Sequence, residues 1–301
     1  MGLHVPEPGF TVLMRWFDPA GWVSLAAEHG CNRASMVPSM LAILLGQPLE
    51  DADLSALRYL SSGGAPLARD VAAEFERRVP GVEILEGYGL TESSAIVSTN
   101  RPTRRRPGSV GEPVPGVEVR ILDDAGAAVG AGEPGEIVVR SATVMRGYWH
   151  AEAETGAVLR EGWLATGDIG RLDEDGYLYV VDRKKDLIIR GGFNVFPRDI
   201  EDVLLGHPAV AAAGVVGRPD PRYGEEVVAF VALRAGASAT PDELVAFGRD
   251  RLSATKYPRE VRVVDAVPLT SVGKTDRKAL RTRLLAEPSV ATGSAATGSG
   301  D

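Results

Sequence analysis

Short apolar runs alternate with helical patterns along the first ninety residues of the chain. The runs predict strands at residues 11–14, 33–37, 57–61 and 82–85. The helical patterns cover residues 19–29, 38–45 and 66–79, each opened by a proline. The apolar side chains that share one face of the third helix are Leu67, Val71, Phe75 and Val79. Such an alternation predicts a parallel sheet with helices on its faces and ligands beyond the carboxyl ends of its strands.

The pattern changes after Gly108. Up to Tyr179, short apolar segments are separated by turns rich in Gly, Pro and Asp, which predicts an antiparallel β subdomain. A second, mixed α+β domain is expected beyond Asp186. Its predicted elements are a hairpin, helices over 197–205 and 241–252, and strands near 209–216 and 226–233. Residues 287–301 are mostly Ala, Ser, Thr and Gly, so we expect a disordered tail.

Composition excludes several classes of protein. The 301 residues include 33 Lys and Arg against 41 Asp and Glu, and this net charge of −8 argues against a nucleic-acid partner or an anionic-membrane surface. The longest apolar stretches are far shorter than the roughly 18 residues that cross a bilayer, so no transmembrane segment is expected. With Cys31 as its one cysteine, the chain cannot form an internal disulfide. The expected location is therefore the reducing cytoplasm.

A small-residue segment links one predicted strand to the next helix. Gly63, Gly64 and Ala65 lie in it, just before Pro66. Their small or missing side chains would let a planar or phosphorylated ligand approach the backbone amides at the start of the helix. Read singly, the segment is also explained by a tight turn before a helix that begins with proline.

The next strand leads into the sequence Glu-Gly-Tyr-Gly-Leu-Thr-Glu. The Tyr88 ring lies between Gly87 and Gly89, which leaves it flat and open for stacking. The Thr91 hydroxyl could donate to a phosphate oxygen, and the Glu92 carboxylate could hold the Mg²⁺ that neutralises phosphate charge. The combination indicates a nucleotide site. Taken without the rest of the chain, these seven residues are also explained by a surface turn with an exposed tyrosine and a solvated glutamate.

Three further charged residues stand out. Asp168 ends a predicted strand, where its carboxylate could receive both hydroxyls of a ribose or could cap a turn. Arg183 lies in a run of five charges, which is either a solvated linker or a ribose or phosphate contact. Lys274 follows a glycine and could reach an anion as a mobile point charge, although a lone exposed lysine carries little information.

Taken in order, these segments resemble the adenylate-forming, or acyl-activating, AMP-binding enzyme superfamily over roughly residues 10–285. The matching motifs are Tyr88–Glu92, Gly108–Gly111 with Pro113 and Pro115–Gly116, Gly162–Asp168, Asp182–Asp186 with Gly191–Gly192, and Pro268–Thr270 through Gly273–Lys274 and Arg277. The fatty acyl-CoA ligase branch is the most similar, judged from residues 86–92 and 191–197.

The resemblance implies an α/β fold with a mobile lid. The expected parts are a portion of a doubly wound large domain, a β-rich subdomain, a hinge, an α+β C-terminal lid domain and the tail. Their expected limits are 1–107, 108–182, 183–187, 188–286 and 287–301.

The resemblance also implies a role for each candidate residue. At the nucleotide, the adenine and acyl pocket would be bordered by Gly63, Gly64 and Ala65. The Tyr88 ring would lie near adenine, flanked by Gly87 and Gly89. Asp168 would bind the ribose hydroxyls, and Arg183 would assist at the ribose. At the reacting groups, Thr91 would contact the α-phosphate, Glu92 would hold Mg²⁺, and Lys274 would reach the α-phosphate and the carboxylate. In the lid movement, Lys185 would be the pivot, with Gly191 and Gly192 lining the approach of the thiol.

The implied reaction uses ATP, Mg²⁺ and coenzyme A. A fatty acid or another carboxylic acid would be activated as its acyl-adenylate and then transferred to the thiol of coenzyme A. An aryl or amino acid substrate is the alternative within this class of enzyme.

One family motif is absent from this sequence, namely the Ser/Thr/Gly-rich loop ending in Pro-Lys that cradles the β- and γ-phosphates. Two hypotheses follow. Either the chain is a C-terminal portion of a ligase that needs a separate N-terminal half, or it is a catalytically silent protein that binds an adenylate or a protein partner.

Overall fold

The computed structural model of the protein describes residues 9–270 and 274–286. These residues form two compact units that divide between Lys185 and Asp186. The predicted tail at 287–301 lies outside the described residues, as do residues 271–273 of the turn before Lys274. None of the described helices is both long and apolar enough to span a membrane. The expected domain limits and the hinge movement stay predictions.

The first unit contains ten strands and four helices among its described residues. Its helices are α1 Pro19–Glu28, α2 Pro38–Leu44, α3 Arg69–Arg78 and α4 Glu152–Val158. Its strands are β1 Arg33–Met36, β2 Tyr59–Ser62, β3 Glu83–Tyr88, β4 Ser98–Thr99, β5 Glu112–Pro113, β6 Val117–Leu122, β7 Gly135–Ser141, β8 Leu159–Arg160, β9 Trp163–Leu172 and β10 Leu178–Arg183. Short 3₁₀ turns cover Leu49–Asp51, Thr91–Ser93 and, across the division between the units, Lys184–Asp186.

The first sheet has the order β1-β2-β3-β4-β5, and its first three strands are parallel. Helix α1 begins as predicted, because the Asp18 carboxylate accepts a hydrogen bond from the Gly21 N–H at 2.6 Å and caps the helix. Helices α1–α3 contribute to one apolar core with this sheet, and Leu41, Leu60 and Phe75 are completely buried in it. The predicted α/β class is confirmed.

Two predicted boundaries in this region are wrong. Residues 11–14 form no strand, because they pair with none of the described strands. The apolar run there is also not part of a core, since Leu13 is 85% exposed. Helix α3 begins at Arg69 instead of Pro66, because Ala68 still has an extended backbone. The predicted apolar face of α3 is confirmed, since Phe75 is buried and Val71 packs against the same core.

The second sheet is the predicted antiparallel subdomain. Its order is β10-β9-β7-β6, with β8 beside β9, and all its pairs are antiparallel. Ile137, Val139 and Leu178 are completely buried at its core. Asp168 lies inside β9, so the prediction that it ends a strand is wrong.

The second unit is a mixed sheet covered on both faces. Its strands are β11 Ile188–Arg190, β12 Phe193–Val195, β13 Val210–Asp220, β14 Gly224–Leu233 and β15 Glu260–Val264, and its helices are α5 Pro197–Leu205, α6 Pro241–Arg249 and α7 Arg277–Ala286. The strand order is β12-β11-β14-β13, with β15 parallel to β14. Residues of α5 and α6 belong to one core cluster with the sheet and residues of α7 to another. The predicted hairpin and α5 are confirmed, whereas β13 runs four residues further than predicted because its pairing with β14 continues to Asp220.

Candidate functional site

Two small-residue segments meet at the carboxyl end of the parallel sheet. The parallel register places Ser62, the last residue of β2, beside Glu86 in β3. A Cβ on Gly63 would lie 3.2 Å from the carbonyl oxygen of Gly87, so the two backbones approach closely. Gly64 has a φ of +80°, which side chains other than glycine rarely adopt. Gly63, Gly64 and Gly87 are therefore brought together, and Ala65 follows them directly.

Tyr88, Asp168 and Arg183 form a contiguous cluster. The Tyr88 hydroxyl donates a hydrogen bond to Asp168 Oδ2 at 2.7 Å. Arg183 Nε lies 3.1 Å from Asp168 Oδ1, with the aspartate side chain 8% exposed and the arginine side chain 51% exposed. A buried carboxylate thus faces a ring on one side and a half-exposed cation on the other. Three candidates that lie far apart in the sequence share one site.

The electrostatics of this cluster keep the Tyr88 phenol neutral. Burial raises the pKa of Tyr88 well above its usual range, and the charge of the Asp168 carboxylate raises it further. The hydroxyl therefore remains a donor to Asp168 at neutral pH. A carboxylate that is fixed in place by donors has acceptor capacity left for other hydroxyl groups, as a ribose would present.

A β-bulge in β9 places Asp168 at this site. Ala165 pairs with Val138 of β7 and Ile169 pairs with Glu136, so three residues of β9 oppose the single residue Ile137. A bulge interrupts the alternation of side chains and re-aims them, and bulges are frequent beside active sites. The Thr166 hydroxyl donates to the Ile137 carbonyl oxygen at 2.8 Å and accepts the Asp168 N–H at 3.1 Å. These bonds hold the bulge in a defined conformation.

Glu92 lies in the 3₁₀ turn that follows β3. One of its carboxylate oxygens accepts a hydrogen bond from the Tyr148 hydroxyl at 2.9 Å, and its carbonyl oxygen accepts the Met145 N–H at 2.7 Å. The hydrogen bond to Glu92 raises the pKa of the Tyr148 phenol. Thr91 is exposed beside it. Both side chains are accessible to a ligand, and Glu92 also lines a cavity of about 500 Å³.

Glu92 could hold a magnesium ion only together with a nucleotide that brings the ion with it. No group of three or more potential metal ligands occurs among residues 9–270 and 274–286, so the described residues form no protein-only metal cage. Mg²⁺ is commonly held by one or two carboxylates together with substrate phosphates. Glu92 would supply such a carboxylate. No motif in the sequence identifies Tyr148 as a partner of Glu92, because the two residues that form this hydrogen bond are 56 positions apart.

Three of the remaining candidates lie in the second unit, and the fourth, Lys185, ends the first. Gly191 and Gly192 form the turn between β11 and β12, with φ values of +59° and +83°. The Gly191 N–H donates to the Tyr223 carbonyl oxygen at 2.7 Å, which fixes the turn against the neighbouring strand. Lys274 has an exposed side chain, and its carbonyl oxygen accepts the Thr270 N–H at 2.7 Å. Lys185 is exposed at the end of the first unit.

The chain matches two models of one protein family. The model described as AMP-binding enzyme matches residues 8–149, and the model described as AMP-binding enzyme C-terminal domain matches residues 199–274. The chain belongs to the AMP-binding enzyme family. The resemblance predicted from the ordered motifs is therefore confirmed.

Curated relatives that the chain matches include CoA ligases and synthases. A long-chain-fatty-acid–CoA ligase of Bacillus subtilis is 41% identical over 279 residues, which are 92% of this chain and 49% of that protein. A feruloyl-CoA synthase of an Amycolatopsis species is 39% identical over 278 residues, which are 91% of this chain and 56% of that protein. The chain spans about half the length of the curated relatives it matches.

A solved family member has the same fold over the shared region. The crystal structure of ATP-bound MatB from Rhodopseudomonas palustris superposes with a TM-score of 0.85 and 33% identity, covering 90% of this chain and 54% of that one. The described residues of this chain therefore follow the family fold.

Gly89 is a structural requirement of the loop between Tyr88 and Thr91. A Cβ at this position would lie 1.4 Å from the Ala95 carbonyl oxygen, a backbone atom that cannot give way easily. We expect Gly89→Ala to destabilise the first unit by about 2–3 kcal/mol, since overpacking against a fixed neighbour costs that much. Urea unfolding of the whole chain measures this change.

Gly156→Ala is the matched control for this substitution. Gly156 lies in α4, and a Cβ there would meet nothing within 4 Å. Alanine should stabilise that helix by about 0.5–1 kcal/mol relative to glycine. Equal unfolding midpoints for the two variants would contradict the requirement for glycine at position 89.

Proposed function

We propose that this chain carries the nucleotide-handling and thiol-handling part of an ATP-dependent acyl-CoA ligase that activates a fatty acid. The observation that carries the proposal is the cluster of Tyr88, Asp168 and Arg183, in which a buried carboxylate is held between a ring and a cation. A ring that can stack on a base and an acceptor that can receive ribose hydroxyls are what an adenosine nucleotide requires. The ATP-bound relative supports the choice of nucleotide.

Each candidate side chain has a task in the proposed reaction. The substrate carboxylate attacks the α-phosphorus of ATP, and the bond to pyrophosphate breaks. The Thr91 hydroxyl would donate to an α-phosphate oxygen, and the Lys274 ammonium would offset the charge that develops there. Asp168 and Arg183 would hold the ribose so that the α-phosphate faces the attacking oxygen. Mg²⁺ held at Glu92 would neutralise phosphate charge.

The second step transfers the acyl group to coenzyme A. The thiolate attacks the carbonyl carbon of the acyl-adenylate, and AMP leaves with its bonding electron pair. Gly191 and Gly192 would line the path of the thiol, because a turn without side chains leaves room beside the backbone. Movement of the second unit about Lys185 between the two steps is part of the proposal.

The proposed substrate is a fatty acid, supported by the identity with the Bacillus subtilis ligase. The relative from Amycolatopsis is named for an aryl substrate, so an aryl acid is the second candidate.

The relatives are about twice as long as this chain, and the part of their fold that this chain does not cover would come from a separate N-terminal half. That half would also supply the phosphate-cradling loop. A protein that binds adenylates without turnover is the remaining candidate. A cytoplasmic location and the absence of nucleic-acid partners stay predictions from cysteine content and charge.

Pyrophosphate exchange into ATP separates these candidates. The purified chain is assayed with palmitate and with ferulate, alone and together with the N-terminal half of the Bacillus subtilis ligase, while calorimetry measures AMP binding. Palmitate-dependent exchange in either preparation supports the proposal, and exchange with ferulate alone reassigns the substrate. AMP binding without exchange identifies a silent binder. A chain that does not bind AMP in either preparation contradicts the nucleotide site itself.

The ring and the hydroxyl of Tyr88 have separable effects. We expect Tyr88→Ala to weaken AMP binding about tenfold or more, because stacking of a base on an aromatic ring contributes about 1–3 kcal/mol. Tyr88→Phe keeps the ring and loses only the hydrogen bonds of the hydroxyl, which include the one to Asp168, so its AMP affinity should stay within about threefold of the original. Calorimetric titration with AMP compares the two variants. Equal losses would show that the hydroxyl matters and the ring does not.

A further inference from the structure

The Glu136 carboxylate joins two segments next to the nucleotide site. Its Oε1 accepts a hydrogen bond from the Gly167 N–H at 3.2 Å. Its Oε2 accepts one from Lys184 Nζ at 2.8 Å, and the Glu136 side chain is only 19% exposed. None of the motifs that carry the family resemblance includes this residue. Its two contacts lie 31 and 48 residues away in the sequence.

The first contact holds the bulge of β9. Gly167 is the central residue of the bulge, has a φ of +69° and directly precedes Asp168. The Glu136 bond on one side and the Thr166 bonds on the other tie the backbone around Asp168 to β7. Loss of the Glu136 bond would leave the Gly167 peptide free to turn, and the direction of the Asp168 side chain would change with it.

The second contact holds the segment that follows Arg183. Lys184 opens the 3₁₀ turn at the end of the first unit, next to Lys185. Its other anionic neighbour, Asp124, is 3.9 Å away and 87% exposed, so Glu136 is the stronger partner. The hydrogen bond that Lys184 donates to Glu136 is also the main reason why the pKa of Lys184 is raised. Lys184 therefore stays charged and paired at neutral pH.

We propose that Glu136 is a positioning residue that holds the ribose acceptor Asp168 and the segment before the division of the two units in one arrangement. This inference rests on the proposed function for the role of Asp168. Glu136 touches no reacting atom in this scheme and acts through the Gly167 peptide and the Lys184 ammonium. The same side chain then links the backbone beside Asp168 to the last residues of the first unit.

Two substitutions at Glu136 separate its contacts. Glu136→Gln keeps an amide oxygen that can accept the Gly167 N–H but presents no second acceptor to Lys184. Glu136→Ala removes both contacts. The control is Glu118→Ala, which breaks an exposed ion pair with Arg140 on the same sheet and touches neither segment.

Three measurements on the full chain test the proposal. Hydrogen–deuterium exchange reports on the amide of Gly167, limited trypsin digestion reports on the backbone at residues 183–185, and calorimetry gives the AMP dissociation constant. We expect Glu136→Ala to increase exchange at Gly167 and cleavage at 183–185 about tenfold, and to weaken AMP binding about tenfold. Glu136→Gln should raise cleavage to a similar degree but leave exchange and AMP affinity within about threefold of the original. Melting temperatures show whether each variant is folded.

Unchanged exchange and cleavage in both Glu136 variants would overturn the inference. The same changes in Glu118→Ala would overturn it as well, because they would reflect general loosening of the sheet. If the unmodified chain binds no AMP, the proposed function fails, and exchange and cleavage still decide whether Glu136 positions the two segments.

Discussion

Lys274→Ala is expected to slow pyrophosphate exchange about 10²–10³-fold, the usual cost of removing one group aimed at developing charge. The acyl-adenylate step transfers the adenylyl group from pyrophosphate to the carboxylate oxygen, so a cation near the α-phosphate stabilises its transition state directly. In thioester formation from preformed acyl-adenylate, negative charge develops on the carbonyl oxygen and on the phosphate of the leaving AMP, and the proposed movement of the second unit between the two steps would withdraw Lys274 from both. A lysine that acts in the first step alone should therefore matter much less in the second.

Both half-reactions are measured on the same preparation, with the added N-terminal half if exchange requires it. Lys278→Ala is the control, because it removes the same charge from an exposed residue of α7 a few positions beyond Lys274. Its rates should stay within about twofold of the original. Comparable losses in the two half-reactions of Lys274→Ala would contradict the assignment.

The starts of several helices can be predicted from single residues in the sequence. Prolines at positions 19, 38, 197 and 241 each open a helix where the sequence predicts one, because a proline lacks the N–H that the first turn of a helix leaves unpaired. Pro66 shows the limit of this rule. The chain there stays extended through Ala68, and helix α3 begins only at Arg69.

The positions of the site residues depend on pairing between distant strands. Asp168 has the sequence context of a turn, yet it lies inside β9, where β7 and β10 pair on both sides. The bulge that aims it arises because the register with β7 slips between Glu136 and Val138, and no pattern within residues 163–172 encodes that slip. The motif selects Asp168, whose role at a ribose stays a prediction, but it does not predict that this residue lies inside a strand.

The hydrogen-bond partners of the candidate residues also cannot be predicted from the sequence. The bond from Tyr88 to Asp168 spans 80 residues, and Tyr148 and Glu136 belong to none of the motifs that carry the family resemblance. The motifs identify groups that could touch a ligand, whereas the groups that orient them are determined by tertiary packing. A side chain such as Glu136 becomes visible only when the sheet is assembled.

Asp168→Asn is expected to weaken AMP binding about 10²-fold while leaving the fold intact. A hydrogen bond to a charged group contributes about 1.5–3 kcal/mol, and two ribose hydroxyls would lose that partner when the carboxylate becomes an amide. Asparagine has the same shape, but its amide nitrogen would face a donor, either the Tyr88 hydroxyl or the Arg183 guanidinium. Asp70→Asn is the control, since Asp70 is exposed on α3 in the same unit.

Nucleotides without ribose hydroxyls make this prediction specific for the role of Asp168. The original chain should prefer AMP over its 2′,3′-dideoxy analogue by about 10²-fold, because the analogue offers no hydroxyl to the carboxylate. In Asp168→Asn the preference should fall to within about threefold, since the loss from the protein and the loss from the ligand concern the same hydrogen bonds. Calorimetric titration of each protein with both nucleotides gives the four affinities. A variant that still discriminates between them as strongly as the original chain would place the ribose elsewhere.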